Sequence, residues 1–296
     1  MINKRVHGVS PGSLMKEFGT GLFHADDAVH AQLRRILGPA FSVKAVRDMS
    51  PTLMKYADLL VGQLRKAISR DPVQDMSMWL NYATFDLTGE VTFGETFGCL
   101  EHGKNGQGRL LLENVLSGVI KGSKMSPVLR YIDVNRLLPL LPKSRLEEVM
   151  KLGKYTIYAV TRRVEKGYMK GHTDVINILL QSEDPEDQLP LSELYQNALI
   201  LIVAGSETTA TLLTAVTYLL CKHPAIMQRL KDEVREAFME DSDITTAAVN
   251  ELPYMIAVLK EAMRFFPPVP LGFPRIITAP KGQLVCGHRV PGGVSL

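Results

Sequence analysis

The sequence is poor in cysteine and almost balanced in charge. Its three cysteines, Cys99, Cys221 and Cys286, lie far apart, and none belongs to a Cys-x-x-Cys or Cys-x-x-His arrangement. A disulfide framework is therefore excluded, and the spacing argues against a zinc site. The net charge is only +3, from 34 basic and 31 acidic residues. Attraction of the whole molecule to nucleic acid is not indicated, so we predict no nucleic-acid partner.

Long hydrophobic runs are also missing. The longest apolar stretch, Ala198 to Gly205, is much shorter than the roughly 20 residues that cross a bilayer. Met1 to Ser13 contains no apolar signal core. We therefore expect the chain as given to be soluble. Its 296 residues and 46% hydrophobic content suffice for a large buried core.

Helical periodicity dominates what remains, with no internal repeat, and predicts a mainly α-helical fold. The predicted helices cover residues 28–41, 45–70, 76–97, 110–121, 145–170, 192–223, 224–239 and 249–266. Residues 275–296 alternate between apolar and polar side chains and contain glycine-rich turns, which predicts a small β-sheet at the C-terminal end.

The most informative helix carries the hexapeptide Ala204-Gly-Ser-Glu-Thr-Thr209. Gly205 costs a helix roughly 1 kcal/mol relative to alanine, and consecutive threonines are poor helix formers. The Thr208 hydroxyl can bond to the Ala204 carbonyl, and Gly205 leaves the backbone open to a ligand. Glu207 in this apolar setting can carry protons. The alternative is helix packing through small residues, with Glu207 pointing outward.

A second pattern places Glu261 and Arg264 three residues apart on one helix face, where they can form an ion pair. Alone, such a pair is typical of a solvent-exposed surface. Apolar neighbours surround this one, and the helix stops at Pro267-Pro268-Val-Pro270. We therefore expect a buried acid and guanidinium brace.

These two patterns resemble two motifs of the cytochrome P450 superfamily, A/G-G-x-D/E-T-T/S in the distal helix and E-x-x-R. The resemblance implies that Glu207 and Thr208 are catalytic and that Ala204 and Gly205 contact the heme. It also implies that Ile200, Val203, Val269 and Leu271 line a lipophilic substrate pocket.

Basic residues extend the resemblance. His30 and Arg34 lie one helical turn apart and match the family's W/H-x-x-x-R helix, which holds the heme propionates. Arg275 is similar to a further propionate-binding arginine. A solvated basic face remains the alternative for each. Arg35, Lys44 and Arg47 are expected near the face where a reductase docks.

The resemblance covers almost the whole chain and implies one P450 domain over residues 1–296, with a helical core and a small C-terminal sheet. It extends from the propionate-binding helix to the segment after the E-x-x-R helix. We find no F-x-x-G-x-R-x-C-x-G loop, and no N-terminal anchor, and we interpret the chain as a fragment truncated at both ends. The three cysteines are interpreted as packed thiols, so no metal ligand is predicted in this chain.

The implied function is a microsomal, fungal-type monooxygenase that inserts one atom of O2 into a lipophilic small molecule of secondary metabolism. Its cofactor is heme, and its partner is an NADPH-dependent reductase. A full-length relative is expected at the cytosolic face of the endoplasmic reticulum, held there only by the anchor. Two alternatives remain: a truncated, inactive remnant without the iron-ligating cysteine, and a helical scaffold in which every motif is packing or surface.

Overall fold

The computed structural model describes residues 2–3, 21–22, 25, 27–102, 143–182, 184–270 and 276–294. The helices within these ranges are α1 Asp27–Leu37, α2 Val43–Asp48, α3 Ser50–Ile68, α4 Met76–Phe93, α5 Cys99–His102, α6 Lys143–Glu165, α7 Val175–Leu179, α8 Leu191–Lys222, α9 Pro224–Ala237, α10 Thr246–Val249 and α11 Pro253–Phe265. Short 3-10 turns occupy Gly38–Phe41, Pro185–Asp187 and Asp241–Asp243. The predicted helix at 110–121 lies outside the described residues.

The strands are β1 Ile2–Asn3, β2 Ile276–Ile277, β3 Gln283–Val285 and β4 His288–Val290. β1 and β2 pair antiparallel, with Ile2 opposite Ile277, and β3 and β4 form a second antiparallel pair. The mainly helical fold and the small C-terminal sheet are therefore confirmed. Cys286 lies in the turn between β3 and β4 at φ 49°, and not in a strand as its alternating neighbours predicted.

Proline marks the start of two helices whose predicted bounds differ from the structure. The run predicted over 45–70 breaks at Met49, because Pro51 cannot donate a backbone hydrogen bond into the preceding turn. The run predicted over 249–266 begins only at Pro253, because Val249 is the last residue of the separate short helix α10. In both cases proline occupies the first turn of the following helix, where its missing N–H is tolerated.

The described core forms around α8, which packs most extensively against α4 and also contacts α6 and α11. Phe85, Phe93, Ile202 and Val160 are fully buried in one cluster. Phe97 stacks on Phe85 with 4.0 Å between ring centroids and meets Phe93 edge-on at 5.8 Å. The aromatic segment predicted to be core is therefore core.

By length and composition alone, α8 could cross a membrane. The prediction from continuous apolar runs missed this property, because serine, threonine and one glutamate interrupt the run without making the 32-residue helix polar. One such helix is weak evidence, and the core helix of a soluble protein has the same composition. Here α8 contributes Leu194, Ala198 and Ile202 to the buried cluster, so one side of it packs into the described core.

A buried ion pair joins α6 to α7. Arg163 and Asp174 are only 1% and 2% exposed, and the guanidinium donates to both carboxylate oxygens at 3.0 and 3.2 Å. Arg163 also donates to Asn177 and to the Gly167 carbonyl, so its hydrogen-bonding capacity is well used. Asp174 in addition caps α7 by accepting from the Asn177 N–H. This network fixes the connection between the two helices.

Removing the Arg163 charge should therefore leave the buried Asp174 carboxylate without its charged partner. We expect Arg163→Met to lower the free energy of unfolding by about 3–5 kcal/mol. The matched control is Arg162→Met, whose partner Glu95 lies at a half-exposed site, and it should cost less than about 1 kcal/mol. Urea denaturation of the three proteins measures both effects. Equal losses for the two variants would contradict this assignment.

Candidate functional site

The middle of α8, residues 204–208, contains both exposed and buried residues. Thr208 Oγ1 donates to the Ala204 carbonyl oxygen at 2.7 Å, the backbone bond that the sequence suggested. Ala204 and Gly205 are exposed, whereas Ser206 is buried and donates to the Ile202 carbonyl at 2.6 Å. The helix continues without interruption through this segment. Small residues thus leave its backbone accessible on one side.

Gly205 has a packing role that the sequence did not reveal. A Cβ atom at this position would lie 3.1 Å from Thr88 Cγ2 and 3.2 Å from Thr88 Oγ1 on α4. Such contacts are shorter than carbon and oxygen atoms normally accept, so α4 and α8 approach as closely as a glycine permits. The direction of the missing side chain points to a neighbouring helix and not to a ligand.

Glu207 does not point freely into solvent. Its Oε2 atom is buried and finds no hydrogen-bonding partner among the described residues. Burial raises the pKa of the carboxyl group above its ordinary value, and a hydrogen bond with the Thr211 side chain partly opposes this shift. The neutral form is therefore favoured relative to an exposed glutamate. Glu207 is a group that can hold a proton near the Thr208 hydroxyl.

The residues expected to line a substrate pocket differ in their surroundings. Val203 is partly buried and packs against the core cluster, so its role in lining a pocket stays a prediction. Ile200 instead faces Gly21, where its Cδ1 atom lies 3.0 Å from the position of a Cβ. Val269 is 50% exposed. Leu271 lies outside the described residues.

Glu261 and Arg264 form the expected bidentate pair, with Arg264 Nε donating to Glu261 Oε2 at 2.8 Å and Nη2 donating to Oε1 at 2.7 Å. The hydrogen bonds from Arg264 lower the pKa of the Glu261 carboxyl group. The expectation of a buried brace is wrong for the described part of the chain. The two side chains are 63% and 70% exposed, because no described element covers this face of α11.

Most of the candidate propionate-binding and reductase-docking residues are exposed as well. His30 is half-buried and Arg34 exposed, one turn apart on α1, so both remain available on a shared side. Arg35 forms an ion pair with Asp187 in the 3-10 turn Pro185–Asp187, and its expected place near a reductase-docking face stays a prediction. Lys44 and Arg47 are exposed. Arg275 falls in a range whose structure is not described.

Comparison with known proteins identifies the fold and the family. The profile of the family described as Cytochrome P450 matches residues 8–293. The chain belongs to the cytochrome P450 family. Among solved structures it is similar to the cytochrome P450DA heme domain, with a TM-score of 0.77 at 21% identity, over 99% of this chain and 62% of that one. This structural likeness establishes the shared fold.

Fungal monooxygenases are among the curated relatives of this P450. It is 38% identical to the cytochrome P450 monooxygenase FUM2 of Gibberella moniliformis, over 92% of this chain and 57% of that protein. It is 35% identical to the trichothecene C-4 hydroxylase of Trichoderma arundinaceum, over 91% of this chain and 54% of that protein. The chain thus spans little more than half the length of these relatives.

The family and the matched heme domain imply a heme cofactor. Heme presents a flat apolar face and two carboxylates, and the described residues fit both. Ala204 and Gly205 offer an exposed surface of small residues on α8, and His30 and Arg34 offer donors for carboxylates. An arginine fork suits a propionate because it can donate two parallel hydrogen bonds.

The cysteines of this P450 do not provide a described iron ligand. Cys99 is fully buried, and burial together with nearby Asp86 raises the pKa of its thiol. Cys221 is exposed but lies 13 residues beyond Thr208 on the same helix, roughly 20 Å along its axis. Within the described ranges, no group of three or more His, Cys, Asp and Glu side chains could hold a metal ion.

Sequence reasoning missed Glu233, which supports the helix carrying Glu261 and Arg264. Its carboxylate accepts from the backbone N–H groups of Tyr254 and Met255, both at 2.8 Å. Leu252 provides no side-chain cap, so Glu233 of α9 satisfies the first turn of α11 from another helix. Only a capping residue close in sequence can be recognised from a local pattern.

The close approach of Gly205 and Thr88 generates a double-mutant test. Gly205→Ala should lower the free energy of unfolding by about 1 kcal/mol, since overpacking outweighs the gain in helix propensity. In a Thr88→Ala background the same change should instead raise it by about 0.5–1 kcal/mol, because the obstructing atoms are gone. Denaturant unfolding of all four proteins measures the coupling. An identical effect in both backgrounds would show that the contact does not matter.

Glu207 should make stability depend on pH in a defined direction. A pKa raised by folding means that the folded state binds the extra proton, so Glu207 favours folding below its unfolded pKa, and this contribution is lost as pH rises through the folded pKa. The stability of the wild type relative to Glu207→Gln should therefore fall as pH rises above about 4, the ordinary pKa of glutamate. Urea midpoints across this range measure it.

Glu261→Gln provides the control for that experiment. The pKa of Glu261 is lowered by Arg264, so its contribution is present above the unfolded pKa and lost as pH falls. The stability of the wild type relative to Glu261→Gln should therefore rise with pH. Slopes of the same sign for the two variants would overturn the assignment of Glu207 as the desolvated carboxyl group.

Proposed function

We propose that this chain forms part of a heme-dependent monooxygenase that inserts one atom of O2 into a lipophilic small molecule of fungal secondary metabolism. The observation that carries the proposal is the segment Ala204 to Thr208, which combines accessible backbone with a half-buried carboxyl group on a core helix. Relatives named as a trichothecene C-4 hydroxylase and an averantin hydroxylase support hydroxylation as the reaction type.

When bound, heme would supply the activation of O2 and the transfer of an oxygen atom. We assign Thr208 and Glu207 as the residues that handle protons beside it. The Thr208 hydroxyl donates to the Ala204 carbonyl, so its oxygen is free to accept a hydrogen bond from a water molecule. Glu207 holds a proton more readily than an exposed glutamate and can pass it on.

Binding of the cofactor is assigned to three groups. Ala204 would lie against the flat face, where a larger side chain would obstruct the approach, and the exposed backbone of Gly205 would lie beside it. His30 and Arg34 would bind one propionate from a shared face of α1, and Arg275 would bind a propionate from the segment before β2. The Glu261 and Arg264 pair would be structural, holding the end of α11 in a fixed geometry.

The substrate is proposed to be lipophilic because the candidate lining residues Ile200, Val269 and Leu271 are all apolar. Val203 is partly buried against the core cluster and would form the back of this surface. Electrons would come from an NADPH-dependent reductase, and the expected setting is the cytosolic face of the endoplasmic reticulum, as the family resemblance implies.

A second candidate concerns this polypeptide by itself. Cys99 is a buried, protonated thiol and Cys221 is remote from Thr208, so neither is suited to ligate iron at the Ala204 surface. We propose that the 296 residues alone do not form a thiolate-ligated heme and are inactive in this state. The binding of heme and the ligation of its iron by a thiolate are therefore tested separately.

Titration of the purified chain with heme, followed by absorption, tests the site. We expect saturable binding that weakens by about tenfold in Arg34→Gln, since a charge-assisted bond to a propionate is lost. Arg35→Gln is the matched control, because Arg35 already pairs with Asp187, and it should bind heme as the wild type does. A carbon monoxide spectrum of the reduced complex then reports whether a thiolate is bound.

Absence of saturable binding, or equal weakening by the two variants, would contradict the proposed heme site. A thiolate-type carbon monoxide spectrum would contradict the inactive state and favour the monooxygenase directly. A spectrum typical of a nitrogen or water ligand would support the inactive state while leaving the heme site established.

A further inference from the structure

One face of α8 carries a line of polar side chains that continues beyond Glu207. Thr211, Thr214 and Tyr218 follow Glu207 at spacings of four, seven and eleven residues, which places all four on one side of the helix. Glu207, Thr211 and Thr214 are partly buried, whereas Tyr218 is 60% exposed. A polar line therefore leads from solvent to the carboxyl group at the centre of an otherwise apolar helix.

Thr214 differs from other hydroxyl residues of the same helix. Ser206, Thr208 and Thr217 each donate to the carbonyl four residues earlier, the usual way in which a helix satisfies a hydroxyl group. Thr214 Oγ1 is buried and makes no such bond, and no other described residue supplies a partner. A buried hydroxyl left in this way is normally satisfied by an ordered water molecule.

The other unpartnered atom on this face is Glu207 Oε2. Thr211 lies between the two and forms a hydrogen bond with the Glu207 side chain. Successive members of the line are separated along the helix by about 4.5–6 Å. A single water molecule spans a gap of that size, so the three side chains and intervening water can form one continuous hydrogen-bonded chain.

We propose that Glu207, Thr211 and Thr214 form a proton relay along this face of α8, which delivers protons from solvent near Tyr218 to the Glu207 carboxylate. The relay rests on the proposed function, because it replaces the proton that Glu207 passes toward the Thr208 hydroxyl group. Thr211 and Thr214 are its positioning residues. Neither belongs to the hexapeptide that the sequence singled out.

Each step of the relay transfers one proton and no electrons. A solvent water gives a proton to the water at Thr214, whose hydroxyl accepts a proton on one side and releases its own on the other. Thr211 repeats the exchange, and its released proton neutralises the Glu207 carboxylate. The net result is movement of one proton from solvent to Glu207, with every hydroxyl restored.

The relay is tested without heme by the exchange of hydrogen for deuterium at the Glu207 carboxyl group. Rapid-mixing infrared spectroscopy of the chain follows the carbonyl stretching band of the protonated Glu207 carboxyl group at a pH where this band is present, and the band is assigned by its loss in Glu207→Gln. We expect Thr211→Val and Thr214→Val to slow this exchange by about tenfold or more, since valine keeps the shape but cannot pass a proton. Thr217→Val is the matched control, because its hydroxyl is already bonded to Leu213.

Unchanged exchange in Thr214→Val, or equal slowing in Thr217→Val, would overturn the relay. A general loosening of the helix would speed exchange in the variants, which is the opposite of the predicted result. None of these readouts depends on heme, so failure of the relay is distinguishable from failure of the proposed monooxygenase, which heme titration tests.

Discussion

The close contact between α8 and α4 is the constraint on which the rest of the described structure depends. Gly205 permits this contact, because a Cβ atom there would lie only 3.1 Å from Thr88 Cγ2 and 3.2 Å from Thr88 Oγ1, so Thr88 would have to shift to accommodate it. Gly205 and its neighbour Ala204 are also exposed to solvent. One glycine thus serves both helix packing and the surface proposed to face heme, and the loss of helix propensity is the cost of this arrangement.

Polar groups set the positions of the surrounding helices. Arg163 and Asp174 join α6 to α7 in a buried pair whose hydrogen bonds are well satisfied. Asp86 accepts from the backbone of Cys99 and Leu100 and thereby holds the turn after α4. These groups have no assigned part in the proposed chemistry, but they help to determine how the helices meet around α8, since a buried charge tolerates few alternative geometries.

The sequence predicted the helices well where a local signal was strong. The predicted start of α4 at Met76 is confirmed, and Asp75 caps it, but the helix ends at Phe93 before the left-handed Gly94 and not at residue 97 as predicted. The break at Met49 and the start of α11 at Pro253 were missed, although proline was visible, because hydrophobic periodicity continues across both positions. The hexapeptide at 204–209 identified the family correctly, but it gave no hint of Thr88, which lies more than 100 residues away.

The sequence by itself determined the local helices and strands. It also determined the ion pair between Glu261 and Arg264 and the hydrogen bond from the Thr208 hydroxyl group to the Ala204 carbonyl oxygen. Each of these depends only on residues a few positions apart, whose geometry the helix imposes. Tertiary structure alone decided burial: that Glu207 is desolvated, that Val203 faces the core and that the Glu261 pair is exposed among the described residues. Burial depends on which distant segments pack over a side chain, and no local pattern contains that information.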